Sequence, residues 1–259
     1  MKISPFFIPV LLFAVAPSPA ADDSAMLAGF KKDLAAIDVE VAKGKPTVSL
    51  YSRRGDANLF LSNFDEAVKD YKKMVELDPA QDGPHWRLGI ALYFAGDAEN
   101  SAKQFEKYYA QDVTGTDRET GIWHFIARAG IDGVSSARLQ MLRYSRPDRE
   151  PFNGLYDLFG DVWTTEEFFR DLSRRGLTTD KQVMFYAQLY AGINEDLNGR
   201  RDAAIRFIRM AASSDWGKKA TGGPGYMWQV ARVLLRALEE AQKAEKEAPA
   251  EAPKVPEKK

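Results

Sequence analysis

Val48 to Pro79 reads VSLYSRRGDANLFLSNFDEAVKDYKKMVELDP, and Asp82 to Asp112 reads DGPHWRLGIALYFAGDAENSAKQFEKYYAQD. Shifted by 34 residues, the two stretches superimpose: Gly55 falls on Gly89, Leu59 on Tyr93, Asn63 on Asp97 and Tyr71 on Phe105. A fixed period of this length marks a stack of helix-turn-helix units, each burying its apolar face against the next. In each unit a glycine, Gly55 or Gly89, stands at the eighth position, where a first helix must cross a second closely. Small residues follow near the start of the second helix, Ala67 in one unit and Ser101 with Ala102 in the other. Four residues beyond Ala67 or Ser101 comes an aromatic, Tyr71 or Phe105, to fill the space between units. Asp78-Pro79 ends the first unit, because proline cannot continue a helix and restricts the residue before it. Gly96-Asp97 makes the turn of the second.

The period and the pattern resemble the tetratricopeptide repeat (TPR). Working outward, Ser24 to Lys43 carries Leu27, Phe30, Leu34 and Ile37 at helical spacing and stops at Gly44, as a helix capping the first unit would. A looser third unit follows much later. Tyr186, Leu189, Tyr190, Ile193 and Leu197 form one stripe, Asn198-Gly199 a turn, and Ala204, Phe207, Ile208, Ala211 and Ala212 the next stripe. Gly199, Ala204 and Ala211 match the turn glycine and small positions of the repeat. After Gly222-Gly223-Pro224-Gly225, Tyr226 to Ala241 reads as a final helix, with Met227, Val230, Leu234 and Leu238 inward. About 65 residues between the second and third units do not fit the period; Ile122–Ala127, Ser136–Leu142, Pro151–Phe159 and Thr164–Leu172 read as helices, the last opened by acids in its first turn. No stretch sustains strand alternation. The expected fold is all-α: TPR-like helical hairpins (an α-α superhelix) with a nonrepeat helical insert. Its segments are residues 21–44 (cap), 45–114 (two units), 115–180 (insert), 181–240 (third unit and final helix) and 241–259 (tail).

The two ends read differently. Lys2, an apolar run from Phe6 to Ala16 and Pro17-Ser18-Pro19-Ala20 have the form of a secretory signal peptide, residues 1–20, cut after Ala20. The run is short for a membrane span, so no stable membrane anchor is expected and the location implied is periplasmic or secreted. The tail is Ala, Lys, Glu and Pro almost throughout, with lysines and glutamates in equal number from Glu240 onward; 241–259 is expected to be disordered. The 259-residue chain is 45% apolar and 28% charged, a globular composition. Its net charge of −1 supplies no basic excess for nucleic acid. It has no cysteine, hence neither a disulfide nor a thiol to carry a lipid.

The order of signal, cap, two close units, insert, third unit and last helix resembles the NlpI family of exported bacterial TPR lipoproteins. The resemblance covers roughly residues 45–215 and rests on RLGIALYFAGDAENSAKQFEKYYAQD (Arg87 to Asp112), GIWHFIARAGID (Gly121 to Asp132), LYDLFGDVWTTEEFFRDL (Leu155 to Leu172) and the third unit. It implies adaptor work in the cell envelope: a scaffold binding protein or peptide partners, among them cell-wall-remodelling enzymes or a protease. The lipidated cysteine of that family is absent, so its anchoring does not carry over.

In such units the second, fifth, ninth and twelfth positions of the first helix line the concave face. That picks out Ser49, Ser52, Asp56 and Leu59-Phe60, then Trp86, Ile90 and Tyr93-Phe94. The expected partner groove is Ser49, Ser52, Asp56, Trp86, Ile90 and Tyr93, whose aromatics suit an extended or helical peptide; the blander reading packs Trp86 and Tyr93 on a neighbouring helix. With Asp56 and Ile90 at the ninth positions, a clamp for a terminal carboxylate is not expected. His85 and His124, with Asp97 and Glu119 near in sequence, are the material for an alternative as an enzyme or metal protein. HExxH, CxxC and Gly-x-Ser-x-Gly are all missing, and the histidines stand apart, so no catalytic residue, metal or cofactor is expected. Arg53-Arg54, Arg174-Arg175, Arg200-Arg201 and Lys218-Lys219 read as solvated helix faces. A third expectation is self-assembly, with a homodimer formed through an exposed end unit.

Overall fold

A computed structural model describes residues 20–44 and 46–247. Most of the expected signal segment (1–19), and the tail from residue 248 on, lie outside the described residues. Within them the fold is all-helical, as expected, without strands. The thirteen α-helices are α1 (Ala20–Ala42), α2 (Val48–Phe60), α3 (Phe64–Leu77), α4 (Trp86–Phe94), α5 (Ala98–Gln111), α6 (Arg118–Asp132), α7 (Val134–Leu139), α8 (Phe152–Phe159), α9 (Thr165–Arg174), α10 (Lys181–Leu197), α11 (Arg201–Ala212), α12 (Asp215–Lys219) and α13 (Gly222–Glu247). No described helix is long and apolar enough to cross a membrane. From α1 to α7 each helix packs on the next; α6 meets α8, α8 meets α10, α10 pairs with α11 and α11 with α13.

The glycine-aromatic pairs explain why the first hairpins close so tightly. A Cβ built on Gly55 would stand 2.5 Å from the ring of Tyr71, and one on Gly89 2.6 Å from Phe105. Both rings are fully buried. The turns share one backbone solution. Ser62 and Gly96 have φ of 64° and 80°, and the next amide bonds back five residues, Asn63 to Asn58 and Asp97 to Leu92, at 2.8 and 2.9 Å. The first residue of each pair is in the left-handed region that glycine enters most easily.

The α10/α11 hairpin repeats all of this. Gly192 lies against Ile208, where a Cβ would meet side-chain carbons at 2.7 Å and the backbone nitrogen at 3.1 Å. Gly199 has φ 75°, and Arg200 N–H bonds the Glu195 carbonyl at 2.9 Å. The glycine-to-filler spacing is sixteen residues in all three hairpins.

Two expectations change. The insert is less irregular than its sequence, since α8/α9 is a fourth hairpin with the same turn: Asp161 has φ 63° and Val162 N–H reaches the Asp157 carbonyl at 2.9 Å. Gly154 there faces Phe168 and Trp163. The last helix also runs on through Glu247, so residues 241–247 are helical. Alanine, lysine and glutamate are good helix formers, and ion pairs such as Arg201–Glu245 tie the extension back.

These backbone conformations predict opposite effects of one substitution. Gly29 lies within α1 with nothing near its Cα hydrogens. Gly29→Ala should therefore stabilise the protein by about 0.5–1 kcal/mol through helix propensity and a less free unfolded chain. Gly96→Ala, at φ 80°, should destabilise it by about 1 kcal/mol. Urea denaturation of the two variants checks both signs.

The end of the chain returns to its beginning. Helix α13 touches α2, Arg236 donates to the Phe60 carbonyl at 2.7 Å, and Arg232 pairs with Asp23 of α1. The hairpins thus form a closed curve with a single apolar core running from Leu59 to Leu238.

Candidate functional site

Ring closure decides what becomes of the expected groove. Tyr226, in the first turns of α13, enters between the first two hairpins. Its ring lies edge-on to Phe60 at 5.2 Å and to Trp86 at 4.9 Å, and its hydroxyl is 3.2 Å from that of Tyr71. Tyr71 also donates to Asp56 at 2.7 Å. Arg87 bonds both Asp56 oxygens at 3.0 Å and Ser52 at 3.1 Å, with its guanidinium over the Trp86 and Tyr226 rings. Burial raises the Asp56 carboxyl above its ordinary value against the opposing pull of Arg87 and Tyr71, and holds the Tyr71 hydroxyl well above its own.

Of the six expected groove residues, Ser52, Asp56 and Trp86 thus meet around Arg87 and Tyr226. Ser49 stays exposed. Tyr93 packs 6.0 Å from Trp123 of α6. Ile90 is fully buried and belongs to the core. The six do not line one open groove: α13 covers their middle, because a short array leaves aromatic surface that the next available helix buries.

The two histidines make different contacts. His85 caps α4, its Nδ1 accepting the Leu88 N–H at 3.2 Å. Burial, helped by Arg87, lowers it to about 4, so it stays neutral; its Nε2 is buried without a partner. His124 faces Glu106 at 3.2 Å, and Glu119 pairs elsewhere, with Tyr190 and Arg149. No group of three His, Cys, Asp or Glu among the described residues stands close enough to hold a metal ion.

Beside Trp86 opens a chamber, a cavity of about 320 Å³. Trp86, Phe105, Tyr108, Trp123 and Tyr186 wall it, Asp117, Glu119 and Arg149 supply charge, and Gln182, Gly223, Pro224 and Met227 complete it. Five parts of the chain converge here: the α4/α5 hairpin, the start of α6, the loop before α8, the start of α10 and the start of α13. Asp117 caps α6 by accepting the Thr120 N–H at 3.2 Å, which sets Glu119 in the first turn, facing inward.

Glu119 is the most perturbed carboxyl of the chamber. It accepts the Tyr190 hydroxyl at 2.6 Å and pairs with Arg149; Tyr190 in turn accepts from Trp123 Nε1 at 3.0 Å. Burial pushes Glu119 up to about 7, against the pull of Arg149 and Tyr190 and with a push from Asp117. Arg149 lies 4.2 Å over Phe152 and 5.6 Å over Tyr186. Its pKa is raised by Glu119 and Asp148, which outweigh burial.

A carboxyl raised on folding binds its proton more tightly in the native state. Its contribution is therefore full below the unfolded value of about 4.3 and is lost as pH rises through about 7. Wild type should lose on the order of 2–3 kcal/mol relative to Glu119→Gln between pH 4.5 and pH 8. His85 acts with the opposite sign, on the acid side, and is common to both proteins. Urea midpoints of the pair across that range check the prediction; parallel curves would contradict it.

Sequence reasoning missed most of this chamber. Glu119 stands out only as an acid near His124 in sequence, Asp117 does not stand out at all, and Arg149 sits in a segment with no period. The available signal was the run of large aromatics that the repeat spacing does not require: Trp86, Tyr108 and Trp123. No protein-family model matches the chain.

Proposed function

We propose that this chain is an exported adaptor of the tetratricopeptide type, which works by binding a segment of a protein partner on its concave side. The observation that carries the reading is the chamber itself. It is concave, walled by aromatics, furnished with a few convergent polar groups, and built from rigid helices that need little ordering when a ligand enters. The resemblance to envelope adaptors adds the setting: partners would be cell-wall-remodelling enzymes or a protease outside the cytoplasm. In this reading the Tyr226 closure is structural, and the partner meets Trp86 and the α6 start rather than all six of the residues chosen from repeat positions.

Trp86 is half-buried between the covered groove and the chamber. Trp86→Ala should reduce recovery of crosslinked partners from the native compartment by about tenfold, the loss of one aromatic anchor, while Ser49→Ala leaves it unchanged. Thermal melts of both variants establish that they remain folded. Equal recovery from folded Trp86→Ala and wild type would sink the assignment.

A further inference from the structure

Resting on that reading, the geometry points to an organic cation, an alkylammonium or guanidinium group, as what the chamber takes from its ligand: the side chain of a lysine or arginine on the partner segment.

The chain already holds a cation against one of the wall rings, Tyr186. Arg149 lies over Phe152 and Tyr186 with Glu119 as its counter-ion, the pairing of ring face and carboxylate that holds cationic groups. The chamber is also lined by a second carboxylate with aromatics, Asp117 with Tyr108 and Trp86. Asp117 stands by Tyr108, whose hydroxyl burial and Asp117 push up to about 12. The Asp117 carboxylate accepts the Thr120 N–H and hydroxyl, and among the described residues no cationic side chain pairs with it.

The approach has the same sign. Tyr108, Asp117 and Arg149 also border an outer cleft of about 420 Å³, together with Asp112 and Asp148. Across chamber and cleft, four carboxyl groups (Asp112, Asp117, Glu119, Asp148) meet one arginine, and that arginine already spends its Nη groups on Glu119 and Asp148. An anionic ligand would find Arg149 engaged and the carboxylates repelling it. A cation gains both the aromatic wall and a hydrogen-bonded carboxylate that no cationic side chain among the described residues neutralises.

The test uses the full chain and its tryptophan fluorescence, since Trp86 and Trp123 form part of the wall. The probes are capped pentapeptides of glycine with a central lysine, norleucine or glutamate, and spermidine as the free-amine source. The lysine peptide should bind about tenfold more tightly than the other two peptides, and Asp117→Asn, which keeps a good helix cap, should remove about tenfold of that affinity. Glu119→Gln should weaken it as well, and Glu245→Gln, remote on α13, should not. If norleucine or glutamate binds as well as lysine, the cation assignment fails while a docking chamber for peptides stands. If spermidine binds and no peptide does, the cation stands and the adaptor reading of this chamber fails. If no probe binds, the inference is overturned, and the Trp86→Ala recovery experiment decides the adaptor reading by itself.

Discussion

Gly55→Val should destabilise the protein by about 3 kcal/mol, the upper part of the usual range for overpacking a core. The Cβ would stand 2.5 Å from Tyr71 Cε1 and 2.8 Å from Cδ1, distances at which something must move. The ring has nowhere to go. It is fully buried, and its hydroxyl is fixed at the far end by Asp56 and Tyr226. Tilting the ring would break those bonds, and parting the helices would open the α2/α3 interface. The clash belongs to one pair, so a double-mutant cycle isolates it. In a Tyr71→Leu background, which is itself weakened, Gly55→Val should cost far less than in wild type. Urea denaturation of the four proteins measures the coupling; equal costs in the two backgrounds would show that the glycine is not there for the ring.

Tyr226→Ala should cost about 4 kcal/mol, in the range for truncating a large buried aromatic. The side chain joins the two ends of the fold, with Phe60, Trp86 and Tyr71 around it and Arg87 above. Its loss leaves a cavity beside Trp86 and takes one hydrogen-bonding neighbour from Tyr71. Tyr226→Phe keeps the packing and removes only the hydroxyl, so it should cost about 1 kcal/mol. If the closure holds the first helices, amides of α1 and α2 should exchange faster in Tyr226→Ala and at the wild-type rate in Tyr226→Phe. Uniform acceleration across the chain would instead mean that Tyr226 matters only as general core.

The sequence exposed what is local and hid what is not. Gly55 with Tyr71 and Gly89 with Phe105 were readable because a crossing glycine and its filling ring lie at one fixed spacing within a hairpin. In α10/α11 the same spacing joins Gly192 to Ile208, but an isoleucine fills the gap and α10 begins with extra turns, so the crossing glycine went unmarked although both helical stripes, the turn at Gly199 and the small residues Ala204 and Ala211 were visible. In α8/α9 the glycine-to-ring spacing is shorter, Gly154 to Phe168, and the turn uses Asp161 in the left-handed region. That change of register made a geometrical hairpin look like nonrepeat sequence. The closure through Tyr226 and Tyr71 joins residues 155 apart, and no period announces such a contact. The chamber is hidden for the same reason, since its Glu119–Arg149 pair comes from two segments that only the fold brings together. Concave positions counted from repeat numbering found Trp86, the residue shared by the covered groove and the chamber, and lost Ile90 to the core.

The central claim is that a partner enters the concave chamber, and a photo-crosslinking amino acid at Gln182, on the chamber wall, tests it most directly. Introduced there in cells, with Lys103 on the exposed side of α5 as the control position, it should give a discrete crosslink to another polypeptide from position 182 and none from position 103. Adding Trp86→Ala should abolish that crosslink. A crosslink of equal strength from both positions, or none from position 182 while position 103 reacts, would contradict docking in the chamber.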